Sequence, residues 1–166
     1  MSTEKQQLYT VSVYTENNIG LLNRISAIFQ RRHINIESLN TSPSEIEGVS
    51  KFTIVVNMDE VNIKKIKAYY HNLDDIIYQI AGLFKVKSEL LFEERQIQNI
   101  IKESNARIVT VNKEFFVLEK SGKKEEIVEL YNKLSPFGIM QYTRSGLIAV
   151  SKDEMKISTL LETYNN

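Results

Sequence analysis

Along Leu8–Thr15, written LYTVSVYT, apolar and polar positions alternate and β-branched or aromatic side chains dominate, which predicts a strand. After the polar turn ENNIG the period changes. Leu21, Leu22, Ile25, Ile28 and Phe29 recur at helical spacing and define one apolar face. Period two returns in Ile34–Ser42. Pro43 and Gly48 bracket a polar loop, and VSKFTIVV (Val49–Val56) is the next strand, so the pair predicts a hairpin with a long tip. Ile63, Ile66, Tyr70 and Leu73 predict a second helix, and Asp75–Ser88 a long extended run interrupted at Gly82. The order β-α-β-β-α-β is that of the ferredoxin-like split βαβ arrangement. Right-handed crossovers place both helices on one face of such a sheet. The other face is left to be covered or to serve as an interface.

The second half repeats this order. GLFKVKS supplies a first strand with almost no linker, followed by a helix carrying Leu90, Leu91, Ile97, Ile100 and Ile101. Ala106–Val111 and Phe115–Lys120 flank Asn112-Lys113-Glu114 as a tight hairpin. Ile127, Leu130, Tyr131 and Leu134 mark another helix, ended by SPFG. Ile139–Thr143, the turn RSG and Leu147–Ser151 close the sheet, and Ile157, Leu160, Leu161 and Tyr164 predict a terminal helix. The expected fold is α+β: two ferredoxin-like βαββαβ domains in tandem, residues 1–80 and 81–166, with the boundary near Ala81.

Composition narrows the function classes. The 166 residues carry 21 Lys+Arg against 21 Asp+Glu, so the net charge of zero argues against nucleic acid as a partner. The absence of cysteine removes disulfides, thiol catalysis and zinc-thiolate sites together. The first ten residues, MSTEKQQLYT, lack the apolar stretch expected of a signal peptide, and no stretch reaches the ~18 apolar residues of a membrane span. A soluble cytoplasmic protein without a membrane partner is expected.

Few residues carry obvious chemistry. His33 and His71 lack an HxxxH partner or a carboxylate at ligand spacing, so no metal is expected. Glu93-Glu94 and Glu125-Glu126 are helix neighbours, whose side chains point apart. KSGKKEE lacks the earlier glycine of a phosphate loop, Val117 standing there, and has Lys124 in place of Ser or Thr. No catalytic residue is assigned.

The stretch TENNIGLLNRI remains. A helix N-terminus presents unpaired N–H groups and partial positive charge, which suit a carboxylate. Gly20 removes a side chain that would block close approach. Asn17, Asn18 and Asn35 supply amide oxygens for an ammonium, and Ile19, Leu21, Leu22 and Ile36 are apolar wall candidates. Two readings stand at this point: a free-amino-acid site, or a capped turn with Leu21 and Leu22 as ordinary core.

The residues Glu16, Asn17, Gly20, Leu22 and Arg24, then Phe29, Arg32 and the run Asn35-Ile36-Glu37-Ser38-Leu39, resemble the opening of an ACT domain. More closely, they resemble the regulatory (small) subunit of acetohydroxyacid synthase, also called acetolactate synthase. NARIVTVN, LSPFGI and RSGLIAVS resemble that family's second domain, so the likeness covers about residues 8–152. It implies a chain that is not itself an enzyme. Such subunits bind the catalytic (large) subunit, raise its activity and confer feedback inhibition, most often by valine, in branched-chain amino acid biosynthesis. Thiamine diphosphate, magnesium and FAD are expected only on the catalytic subunit, with no cofactor here. The resemblance further implies a homodimer with side-by-side ACT domains. Its effector residues would be Asn17, Gly20, Leu21 and Leu22 of one chain and Asn35 and Ile36 of the other. Two positions depart from the family pattern: His33 stands where glycine is frequent, and Ile19 where a small or polar residue is frequent. A stand-alone amino-acid sensor of ACT type, acting on a different partner, is the alternative.

Overall fold

The computed structural model describes residues 6–66 and 68–153, so the terminal helix expected around Ile157 and Leu160 lies outside the described residues. The chain divides into two compact units. The first holds residues 6–77 together with 149–153, the second Tyr78–Ile148.

In the first unit, β1 (Gln7–Glu16) leads through α1 (Leu21–Arg31) to β2 (Ile36–Pro43). Next come β3 (Val49–Met58), α2 (Glu60–Lys64) and β4 (Tyr69–Asn72). The sheet order is β2-β3-β1-β4, all neighbours antiparallel, so β1 lies centrally and β2 at an edge. Tyr9 and Val11 of β1, Ile54 and Val56 of β3, Ile25 and Phe29 of α1, and Ile63 of α2 form the core. The alternation read from LYTVSVYT thus puts every second residue under the helices, and Thr10, Ser12 and Tyr14 on the opposite face.

Two expectations for this region are corrected. Tyr70 and Leu73 are not helical. The helix stops at Lys64, and Tyr70 lies in β4, where it pairs with Val11 and sets its ring edge-on to Tyr9 at 6.0 Å between centroids. The sixth element of the first unit is therefore β4 and not the run from Asp75. Spacing at 63, 66, 70 and 73 satisfies a helical period, but the open edge of β1 offers a hydrogen-bond ladder to a β-prone Tyr-Tyr-His segment, and that pairing wins.

The run from Asp75 is a 3-10 turn, Leu73–Asp75, followed by one strand, β5 (Ile76–Lys87), which is not interrupted at Gly82. In the second unit β5 is followed by α3 (Ser88–Glu93) and α4 (Arg95–Ser104), two helices where one was expected, separated at Glu94 with extended backbone (φ −106, ψ 101). Then come β6 (Arg107–Val111), β7 (Phe115–Gly122), α5 (Lys124–Leu134) and β8 (Ile139–Arg144). β9 (Ile148–Ser151) follows, with Ala149–Ser151 counted in the first unit. The order β6-β7-β5-β8 reproduces that of the first sheet, and β9 also pairs with β5. Phe84, Val86, Ile97, Phe116, Leu118, Ile127 and Leu134 make the second core. In the predicted hairpin Asn112 Oδ1 accepts from the N–H groups of Glu114 and Phe115, both at 2.9 Å. Among the described residues no helix is long and apolar enough to cross a membrane.

Candidate functional site

β1 ends at Glu16, and the chain turns through Asn17-Asn18-Ile19-Gly20 into α1. Asn17 N–H donates to Gly48 O at 2.9 Å and Asn18 N–H to Glu16 O at 2.9 Å, which pins the turn to the β2–β3 loop. Gly20 is the N-cap of α1 in left-handed conformation, φ 81. A β-carbon there would meet nothing within 4 Å, so glycine is required by the backbone angle and not by crowding. No side chain caps the helix. Asn18 Nδ2 instead reaches Glu16 Oε2 at 3.4 Å. Neither Asn17 nor Asn18 caps α1, and the Asn17 amide is exposed. The first turn of α1 has no acidic residue, so its partial positive charge is not neutralised locally. Leu21 packs against the core, Leu22 is 51% exposed and Ile19 is fully exposed.

Asn35 and Ile36 stand elsewhere. Ile36 opposes Val56, which opposes Tyr9, whereas the Asn17 turn follows Glu16 at the far end of β1. At about 3.3 Å per residue the two groups are roughly 20 Å apart along the sheet. Asn35 Nδ2 donates to Glu37 Oε1 at 2.9 Å, and Ile36 packs against the core edge. Asn35 also borders a concavity of about 460 Å³ lined in part by Arg32, His33, Ile34, Asn57 and Lys65. The structure thus brings Asn17, Gly20, Leu21 and Leu22 together and places Asn35 and Ile36 at the opposite end of the same chain.

A second polar concavity was not foreseen. It lies on the sheet face away from the helices, where Thr10, Tyr14 and Lys51 meet Ala149–Ser151. Lys51 Nζ donates to Ala149 O at 2.9 Å. Burial pushes the Tyr14 hydroxyl up to about 12, with Glu45 adding to the rise, and burial lowers the Lys51 ammonium against the opposing effect of Glu45. Polar alternation in β1 was the available signal. Nothing local announced that a segment some hundred residues away would return to this face.

Residues 11–78 match the family model described as AHAS small subunit-like ACT domain, and residues 79–153 the model described as small subunit of acetolactate synthase. The acetolactate synthase small subunit of Mycobacterium leprae is 29% identical, over 92% of this chain and 96% of that protein. The small subunit of Bacillus subtilis is 28% identical, over 86% and 89%. The crystal structure of the acetolactate synthase small subunit of Thermotoga maritima matches with a TM-score of 0.76 at 20% identity, over 91% of this chain and 99% of that one, which speaks for the fold. With both units matched in order, this chain belongs to the acetolactate synthase small-subunit family.

Proposed function

We propose that this chain is a non-catalytic regulatory subunit. It binds a thiamine-diphosphate-dependent acetolactate synthase catalytic subunit, raises its activity and makes it sensitive to valine or a related branched-chain amino acid. Thiamine diphosphate, magnesium and FAD belong to the catalytic subunit on this reading, and no cofactor to this chain. One observation carries the effector half of the reading: the two residue groups are separated along one sheet whose β2 edge lies beside one of them. A second copy pairing antiparallel along β2 reverses its sheet about a two-fold axis. That operation brings the partner's Asn17–Leu22 turn to the same end of the joined sheet as Asn35 and Ile36. The effector carboxylate then meets the α1 N–H groups beside Gly20, its ammonium meets the amide oxygens of Asn17 and Asn35, and its branched side chain meets Leu21, Leu22 and Ile36. Binding there couples to catalysis only through a difference in affinity for two arrangements of the dimer, typically 1–3 kcal/mol.

The test is an acetolactate assay of the catalytic subunit from the same organism, with and without this chain, titrated with valine, isoleucine and leucine. Activation and inhibition are expected with the wild-type chain. Gly20→Asp should keep activation and lose inhibition, because it brings a carboxylate against the effector's own. Gly20→Asn, which tolerates the left-handed backbone, separates strain from repulsion. Inhibition unchanged in Gly20→Asp removes Gly20 from the site. No effect of the chain on the catalytic subunit, with amino-acid binding retained, favours a sensor serving another partner.

A further inference from the structure

The concavity on the open face of the first sheet is complete within one chain and encloses about 230 Å³. Its polarity is graded. Thr10 is 1% exposed, lines the cavity, and its Oγ1 has no hydrogen-bond partner. A buried hydroxyl left unpaired costs free energy, so its retention calls for an occupant. The half-buried Lys51 ammonium commits one of its three donors, to Ala149 O at 2.9 Å, and lies over the Tyr14 ring at 5.8 Å from its centroid. Ser12 adds a second hydroxyl. The rim is opposite in sign: Glu45 and Asp153 are exposed carboxylates at the edge of the same cavity. A donor-rich, cationic floor below an anionic rim does not suit a simple anion or a simple cation.

We propose that this cavity binds a small free α-amino acid, its carboxylate on Lys51 and the Thr10 hydroxyl and its ammonium towards Glu45 and Asp153. The site is separate from the one built around Gly20 and Asn35 and needs no second copy of the chain. Ala149 lines it and its carbonyl accepts from Lys51 Nζ, so occupancy and the seating of residues 149–153 on the sheet are linked.

The experiment is heteronuclear NMR of the full chain, titrated in turn with glycine, L-alanine, L-serine and L-valine. At least one should shift the amide signals of Thr10, Ser12 and Lys51 in a saturable way. Lys51→Met should weaken that binding about tenfold or more, the scale of a lost charged hydrogen bond. Thr10→Val should weaken it less while leaving the melting temperature unchanged or higher, since the unpaired hydroxyl becomes a methyl. Gly20→Asp should leave these shifts in place, so a failed interface site and a failed cavity site give different results. Binding that survives both Lys51→Met and Thr10→Val, or no shift with any of the four amino acids, leaves the cavity to water and overturns the proposal.

Discussion

His33 holds a left-handed backbone, φ 53, just past the last turn of α1. Its N–H donates to Gln30 O at 3.0 Å and the Ile34 N–H to Phe29 O at 3.0 Å, the paired bonds of a Schellman closure. Glycine, which the resemblance leads one to expect here, adopts that angle without strain. Asn105 does the same after α4, at φ 53, with Ala106 N–H on Ile101 O at 3.2 Å. His33→Val should cost about 1–2 kcal/mol, because a β-branched side chain fits that region poorly. His33→Gly should stay near wild type, and denaturant titration separates the two. Tyr14 sets a pH dependence. An unfolded tyrosine ionises near ~10, whereas burial holds Tyr14 protonated to about 12. Between those values the folded chain keeps a proton that the unfolded chain has lost, so stability falls as pH rises through that window. Lys51 acts in the opposite sense: its lowered pKa carries a cost at neutral pH that is relieved as pH rises. The measurement is therefore a difference: wild type should lose stability relative to Tyr14→Phe between about pH 10 and 12.

At the scale of elements, tertiary pairing settled what period alone left open. α2 starts where Asp59 Oδ1 accepts from Asn62 N–H at 2.8 Å, a cap readable in the sequence, and it ends at Lys64, short of what the apolar period predicts. Ile63, Ile66, Tyr70 and Leu73 fall on a helical period, yet β4 draws Tyr70 and its neighbours into the ladder along the edge of β1. The break at Glu94 has the same character: Leu90, Leu91, Ile100 and Ile101 all reach one core, with Ile97 fully buried, and two short helices bring them there. Tyr70→Ala tests the strand assignment. Loss of its edge-on contact with Tyr9 and its packing on the core should cost about 2–4 kcal/mol and speed amide exchange in β4 and at Tyr9–Ser12. An exchange change confined to Glu60–Lys64 would contradict it.

For the whole molecule, the regulatory reading makes dimerisation and effector binding one equilibrium. An amino acid bridging two copies favours the dimer by mass action. Sedimentation of the chain at decreasing concentration should show valine, or the related amino acid that inhibits, shifting dissociation to lower protein concentration. Gly20→Asp should abolish that shift while leaving dimerisation without ligand. An effector-independent dissociation constant in the wild-type chain would place the effector elsewhere.

Much was legible in the chain itself, because period-two and period-3.6 patterns are local consequences of burying one face. They led to β1, α1, β3, α5 and the ferredoxin-like order of both halves, and they singled out Gly20, for close approach and not for the left-handed backbone the structure gives it. Other features depended on partners distant in sequence. The ladder between β1 and β4 drew Tyr70 out of a helical pattern. The strand register set Asn17 and Asn35 at opposite ends of one sheet. The return of residues 149–153 turned the polar face of Thr10, Tyr14 and Lys51 into a cavity. A local pattern says which face of an element is buried. What buries it, and which polar groups are enclosed with it, is decided only when distant segments meet.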